Sequence, residues 1–281
     1  MRIIDYQAVV AAVRDLCCKA AFELPEDVIN SLHNAMETEQ APQGKALLAQ
    51  CLDNAAIASR ERKPVCQDTG SAVFFIDIGS ECVLSENTFT EAVNEGVRQG
   101  YTEGYLRASI VDDPLYSRVN TSDNTPALIH YDFIQGEALT ITLLPKGGGS
   151  ENISALRMLK PADGEVGIID FVTETVVNAG GNPCPPVTVG VGIGGNADKT
   201  SFLAKKALLR ETGLFNSDIR YRKLEEKLLT RINRSGNGPQ GLGGLVTALA
   251  VHIETYPCHI ASLPVAVALN CHAARKATIT L

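Results

Sequence analysis

Six short apolar segments, each bounded by glycine, proline or aspartate, place the strongest constraint on how this chain can fold. Their length and composition are typical of buried strands. The segments are Val73 to Ile78, Ala127 to Phe133, Leu139 to Leu144, Val187 to Ile193, Leu245 to Ile253 and Val265 to Leu269. Stretches with helical spacing of apolar residues lie between them. This alternation predicts an α/β protein with a mixed β-sheet and flanking helices.

Apolar residues at helical spacing predict three amphipathic helices. One carries an apolar stripe from Leu47 to Ala55 that includes Cys51, so this cysteine is predicted to lie in the core. The other two stripes run from Phe89 to Val97 and from Leu224 to Ile232. Within the segment from Leu139 to Leu144, apolar residues alternate with threonine, so one face of that strand is predicted to turn away from the core.

The chain has 281 residues and no proline-rich or serine-rich linker, which favours a single compact domain over residues 1–281. Its net charge of −7 argues against binding to nucleic acid or to an anionic membrane. No apolar run approaches the roughly 18 residues of a membrane-spanning helix, and the N-terminal residues lack the features of a secretion signal. We therefore expect a cytoplasmic protein whose eight cysteines remain thiols.

Three cysteines stand in unusual surroundings and are candidates for ligation or catalysis. Cys66 follows a turn signal in KPVCQDTG, Cys184 lies among prolines in GGNPCPP, and Cys271 follows the predicted strand from Val265 to Leu269. Prolines fix the backbone around Cys184 and remove amide donors, so that loop is rigid. Each cysteine could instead be a small packing residue. The three are far apart along the chain and form no CxxC pattern, so spacing alone leaves both interpretations open.

Five motifs that occur in one order point to a known family. They are Cys66 to Gly70 (CQDTG), Asn120 to Pro126 (NTSDNTP), Lys146 to Asn152 (KGGGSEN), Cys184 to Pro186 (CPP) and Gly238 to Gly244 (GPQGLGG). Together they resemble the alpha subunit of class I, iron-sulfur fumarate hydratases and L(+)-tartrate dehydratases, over most of the chain. The resemblance implies a fold that corresponds to the N-terminal domain of the fused members of that family.

The resemblance also implies a partner. Fused members of the family carry a further C-terminal domain, and this chain ends at Leu281. We therefore expect a separate beta subunit that completes the active site in a hetero-oligomer. This expectation agrees with the sequence itself, in which no obvious strong base is available to accept a proton from carbon.

A [4Fe-4S] cluster held by the thiolates of Cys66, Cys184 and Cys271 is the cofactor that the resemblance implies. One iron would have no protein ligand and could act as a Lewis acid on a substrate. The resemblance further implies residues that bind the substrate, among them an arginine suited to carboxylates and a glycine turn with exposed amides. These residues are Gln67, Asp68, Arg107, Gly147, Gly148, Gly149, Ser150 and Asn152.

One histidine and one glycine-rich segment have separate interpretations. His259 aligns with a histidine at the family's active site, where imidazole could donate to a carboxylate or relay a proton. Gly190 to Gly195 matches the dinucleotide-binding pattern GxGxxG, but the acidic residue expected on a second strand is replaced by Glu211 at a helix end. We therefore predict that these glycines allow a strand and a helix to pack closely. Lys276 departs from the family, since a histidine is expected after Arg275.

The predicted function is reversible hydration and dehydration of a four-carbon dicarboxylate. Fumarate and (S)-malate are the leading substrates, and dehydration of L(+)-tartrate to oxaloacetate is the close alternative. Two more distant alternatives remain. One is a nucleotide-dependent oxidoreductase that uses Gly190 to Gly195, and the other is a non-catalytic assembly subunit without a cluster.

Overall fold

The computed structural model describes all 281 residues. The helices are α1 (Tyr6–Phe22), α2 (Glu26–Thr38), α3 (Pro42–Glu61), α4 (Phe89–Glu103), α5 (Gly148–Glu151), α6 (Gly164–Ala179), α7 (Ala197–Ala207) and α8 (Ile219–Asn233). The strands are β1 (Arg2–Ile4), β2 (Ser71–Gly79), β3 (Cys82–Leu84), β4 (Leu128–Ile134), β5 (Leu139–Lys146), β6 (Ala155–Leu159), β7 (Val187–Gly194), β8 (Ala248–Tyr256), β9 (Leu263–Asn270) and β10 (Ala277–Thr280). The fold is mixed α/β, which confirms the predicted class. None of the helices combines the length and apolar character that a membrane crossing requires.

Contacts group the residues into two compact units, each discontinuous in sequence. Unit 1 comprises Met1–Pro25, Ala55–Gly148 and Arg275–Leu281, and unit 2 comprises Glu26–Asn54 and Gly149–Ala274. The sequence predicts one domain without a linker. Because the segments of the two units alternate along the chain, no single stretch of sequence marks a boundary between them.

Unit 1 is built on a four-stranded sheet with the order β10-β5-β2-β4. Strand β2 pairs in parallel with β4 and antiparallel with β5, so the sheet is mixed as predicted. Helices α1 and α4 pack against each other and share an apolar core with one face of the sheet. In β5 the threonine hydroxyls of Thr140 and Thr142 lie beside those of Thr280 and Thr278 on β10. This polar ladder is the outward face that the alternating sequence of β5 predicts.

Unit 2 is built on a second four-stranded sheet, with the order β6-β9-β7-β8. The valine and isoleucine side chains of β7 share a core with α6 and α8. Its glycines meet α7 instead: a Cβ atom on Gly190 or Gly192 would lie 2.1 Å from the carbonyl oxygen of Ala204 or Thr200. No side chain fits in that space. The prediction that these glycines allow close packing of strand and helix is therefore confirmed.

Glu39 is a buried carboxylate that joins two distant parts of unit 2. Its Oε1 accepts hydrogen bonds from the amides of Gln40 (2.9 Å) and Ala41 (3.0 Å), just before α3. Its Oε2 accepts from the amides of Leu245 (2.7 Å) and Val246 (3.1 Å), just before β8. Burial by itself would raise the pKa of this carboxyl, but the four amides outweigh burial and the pKa is lowered.

Removing this charge should destabilise the protein in a pH-dependent way. Glu39→Gln keeps the shape but turns an amide group toward backbone donors, so we expect a loss of about 2 kcal/mol in the free energy of unfolding at neutral pH. A carboxyl whose pKa is lowered on folding stabilises the protein above its unfolded pKa, and that stabilisation is lost as the pH falls through the folded pKa. Urea unfolding should therefore show the difference between wild type and variant shrinking below about pH 4. Glu37→Gln, on the exposed side of α2, is the matched control; a pH-independent difference would contradict this account.

Candidate functional site

Two of the three candidate cysteines come to the same end of the sheet in unit 2. Cys184 precedes β7 and Cys271 follows β9 directly. These strands are antiparallel, and Thr188 at the start of β7 pairs with Asn270 at the end of β9. Strand pairing thus fixes the two thiol-bearing segments side by side, although 87 residues of sequence separate them (271 − 184).

Hydrogen bonds from His272 reinforce this arrangement. Its backbone N–H donates to the carbonyl oxygen of Cys184 at 3.1 Å, and its Nδ1 lies 3.1 Å from the same oxygen. Cys184 is exposed and has a positive φ of 53°, while the prolines on either side of it are buried. The rigid loop predicted from the prolines therefore holds this cysteine at the surface.

Cys51, on α3, lies near the other two thiols of unit 2. Burial, with smaller contributions from the nearby thiols of Cys271 and Cys184, raises the pKa of the Cys51 thiol to about 11. Its side chain is partly buried. The prediction that Cys51 is a core residue is thus only partly met, because this part of α3 faces the segments that carry the other two thiols.

Gln240, in the motif GPQGLGG, ties the cysteine-bearing segments together. Its backbone N–H donates to the carbonyl oxygen of Pro185 at 2.8 Å, and its side-chain Nε2 donates to the same oxygen at 2.9 Å. Nε2 also lies 3.2 Å from His272 Nδ1. The sequence placed Gln240 in one of the five family motifs but gave it no role, and His272 was interpreted as a structural residue.

The loop that carries Cys66 belongs to unit 1 and is organised by Asp68. The Cys66 thiol lies 3.6 Å from Oε1 of the exposed Gln67. Asp68 accepts hydrogen bonds from the amide of Gly70 at 3.0 Å and from the amide of Gly148 at 2.7 Å. The Gly148 amide, expected to bind substrate, is therefore already bonded to a carboxylate of the same chain.

Arg275 is a buried arginine beside this loop, with 2% of its surface exposed. Its Nη2 donates to the backbone oxygen of Asp68 at 2.8 Å, whereas its buried Nε and Nη1 have no hydrogen-bond partner in the protein. Unpaired buried donors on a cation cost free energy and call for a negative group nearby. The sequence drew attention to Arg275 only as the residue before Lys276, where the family pattern has a histidine.

The remaining predicted substrate residues of unit 1 lie on loops held by the NTSDNTP motif. Arg107 is exposed, and its backbone oxygen accepts from the Thr69 hydroxyl at 2.8 Å. The buried Asn124 accepts from the amide of Ser109 at 2.8 Å and donates to the Gly70 oxygen at 3.1 Å. These bonds connect the Arg107 loop to the loop that follows Cys66.

The other half of the glycine turn lies in unit 2. A Cβ atom on Gly149 would lie 3.3 Å from the backbone oxygen of Asn182, two residues before Cys184. Ser150 is buried within α5 and Asn152 is exposed just after it. In unit 1, a Cβ atom on Gly147 would lie 3.1 Å from Asp68 Oδ2, so Gly147 lies close to the Cys66 loop.

His259 lies at the opposite end of the unit 2 sheet from Cys184 and Cys271. It is exposed in the turn between β8 and β9, next to the end where Ile193 pairs with Val265. Its Nδ1 accepts from the amide of Ala261 at 3.1 Å. The structure therefore does not bring His259 to the two thiols of its own unit.

Comparisons with known proteins agree with these motifs. The family model described as "Fumarate hydratase (Fumerase)" matches residues 10–280. A protein of Methanocaldococcus jannaschii described as "Putative L(+)-tartrate dehydratase subunit alpha" is 45% identical over 270 residues, which cover 94% of either chain. Proteins described as "L(+)-tartrate dehydratase subunit alpha" from Escherichia coli (strain K12) and Shigella sonnei are each 32% identical over 260 residues, covering 91% of this chain and 85% of theirs.

The bridge made by Gln240 predicts a measurable change in thiol accessibility. Gln240→Leu removes the side-chain bonds to Pro185 and His272, so the Cys184 loop should open more often, with a loss of about 1–2 kcal/mol in the free energy of unfolding. Alkylation of Cys184 in cluster-free protein should become about three- to ten-fold faster, measured by peptide mass spectrometry. Cys258, in the turn at the far end of the sheet, is the internal reference, and Gln43→Leu on the exposed side of α3 is the control variant. Equal alkylation rates in wild type and Gln240→Leu would show that the bridge does not restrain the loop.

Proposed function

Since the chain belongs to the fumarate hydratase (Fumerase) family, and is thus a hydro-lyase subunit of the fumarase and tartrate dehydratase type, we propose that it is the alpha subunit of an L(+)-tartrate dehydratase. The observation that carries the proposal is the meeting of Cys184 and Cys271 at one end of a sheet. The sequence favoured fumarate and (S)-malate. The names of the relatives favour L(+)-tartrate, and fumarate with malate becomes the second candidate.

A [4Fe-4S] cluster bound to this chain would be held by Cys66, Cys184 and Cys271. No three His, Cys, Asp or Glu side chains lie close enough together to hold a single metal ion. Thiolates of a four-iron cluster each bind a different iron, so they stand further apart than the ligands of one ion. The neighbouring segments that carry Cys184 and Cys271 in unit 2 suit such a cofactor better than a mononuclear metal.

The charge of Arg275 supports Cys66 as the third ligand of the cluster. Thiolate ligands and a cluster together carry negative charge, which a buried guanidinium stabilises. Arg275 presents two buried N–H groups without a protein partner beside the Cys66 loop. A negative group held at that loop would accept hydrogen bonds from the two guanidinium donors that have no partner in the protein.

The proposed reaction removes water from a 2,3-dihydroxy dicarboxylate. A proton leaves one carbon, the carbon–oxygen bond of the neighbouring hydroxyl breaks, and the resulting enol rearranges to oxaloacetate. When bound, the cluster would supply a Lewis-acidic iron that makes the hydroxyl a better leaving group. The protein residues then have to bind and orient two carboxylates.

We assign these binding roles to loops whose backbones are already fixed. Arg107 would bind a carboxylate with its fork of donors, and the exposed Gln67 would hydrogen-bond the substrate beside Cys66. Asp68 would be a positioning residue, because its carboxylate accepts hydrogen bonds from the amides of Gly70 and Gly148 and so fixes their backbone. Gly147 and Gly149, and with them Ser150 and Asn152, would line the side of the site formed by the glycine turn.

A beta subunit would supply what this chain lacks at the thiol end of unit 2. The relatives are named as alpha subunits, and the histidine predicted to move a proton lies at the other end of the sheet. We therefore assign the proton-accepting group to the beta subunit. We do not include His259 in the site that contains Cys184 and Cys271.

The cluster assignment predicts which cysteines are needed. After anaerobic reconstitution, Cys66→Ser, Cys184→Ser and Cys271→Ser should each lose most of the bound iron and sulfide and the paramagnetic signal that appears on mild oxidation. Cys51→Ser is the matched control, because this thiol is close to two of the ligands but is not assigned to the cluster. Full iron content in the Cys66→Ser variant, or none in wild type, would overturn the assignment.

The substrate assignment is tested with the chain and its beta subunit purified together under anaerobic conditions. We expect kcat/KM for L(+)-tartrate to exceed that for (S)-malate by about ten-fold or more, because a site built to hydrogen-bond a second hydroxyl discriminates against a substrate without it. Oxaloacetate and fumarate formation are followed directly. Preference for malate would favour the second candidate, and turnover of neither substrate would refute the hydro-lyase proposal for this pair.

A further inference from the structure

Strand β4 is an edge strand with few of the features by which proteins protect sheet edges. It spans seven residues, Leu128–Ile134, and pairs with β2 in regular register along one side only. It contains no lysine, arginine or proline and no bulge, all of which hinder further pairing, and its only acidic residue is Asp132. By contrast, the edge strand β10 is only four residues long, and the edge strand β6 carries the exposed Arg157.

Apolar side chains are exposed on both faces of this edge. Ile129 and Phe133 lie on the face that α1 and α4 cover, yet Phe133 is 76% exposed, while its neighbour Ile78 on β2 is only 6% exposed. On the other face Leu128 is 50% exposed. The covering layer therefore stops short of β4, and the outer row of the sheet remains in contact with water.

The sequence of β4 is complementary to itself when two copies run antiparallel. With the two-fold axis at Tyr131, apolar residues face apolar residues and an imidazole faces a carboxylate on the same side of the sheet. The pairs are Leu128 with Ile134, Ile129 with Phe133, His130 with Asp132, and Tyr131 with its own copy. We propose that β4 pairs with β4 of a second copy of this chain, which joins two four-stranded sheets into one of eight strands.

Other arrangements of two copies are less favourable. Two-fold axes at His130 or Asp132 would place like residues with titratable side chains directly opposite each other. Parallel pairing in register would do the same for both residues and would not form a closed two-fold dimer. Only the axis at Tyr131 satisfies both the charges and the apolar rows, because the seven-residue sequence is then symmetric in chemical type.

The first test measures association of the full-length chain by sedimentation velocity between about 1 and 100 µM, the range expected for a small strand-edge interface. Wild type should form a concentration-dependent dimer. In His130→Asp the new carboxylate at position 130 of each chain faces Asp132 of the other chain. This repulsion should weaken dimerisation about ten-fold. The double variant His130→Asp with Asp132→His restores an imidazole opposite each carboxylate and should recover the dimer. Gln135→Asp, an exposed position just outside the strand, is the control.

The second test reads the register directly. Directly opposed residues on antiparallel strands have Cα atoms within disulfide distance. Under mild oxidation Tyr131→Cys should form an intermolecular disulfide at position 131, identified by peptide mass spectrometry, whereas Phe133→Cys should not cross-link to its own copy. A wild-type monomer throughout the concentration range would overturn the proposal. So would a dimer unaffected by His130→Asp, or an effect of that variant only on binding of the beta subunit.

Discussion

The antiparallel pairing of β7 with β9 is the constraint on which the candidate site depends. It sets Cys184 at the start of one strand beside Cys271 at the end of the other. The glycines of β7, which is an inner strand of the sheet, contribute indirectly, since their missing side chains let α7 lie against the strand. A loss of register by one residue would turn the core side chains of the strand outward and move one thiol away from the other.

Polar networks then convert strand pairing into fixed loops. Gln240, His272 and the carbonyl groups of Cys184 and Pro185 form one such network in unit 2, and Asp68 with backbone amides and Arg275 forms another in unit 1. The first is satisfied within the protein. The second leaves two guanidinium donors without a protein partner, and this difference is what distinguishes a purely structural network from one that favours a bound anion.

The proposed pairing of two copies depends on an edge strand. The edge of a sheet can accept a further strand, and β4 combines such an edge with exposed apolar side chains. Pairing of two alpha chains through this edge would use residues of β4, none of which is a candidate cysteine. The same chain could then contribute one surface to its own copy and another to a beta subunit.

The sequence by itself determined the mixed α/β class, the six strands of the two large sheets that it marked, the close packing at Gly190 to Gly195 and the family, because these depend on local periodicity and on short motifs. It also identified the three cysteines, although whether Cys66 joins the other two stays a prediction. Only the tertiary structure decided that the chain forms two units, each discontinuous in sequence, and that Cys51 lies near two other thiols. It also decided that Asp68 is bonded to the Gly148 amide, that Arg275 is buried and that His259 lies at the far end of its sheet. These features arise from contacts between residues far apart in the chain, and neither periodicity nor motif spacing encodes which distant groups will meet.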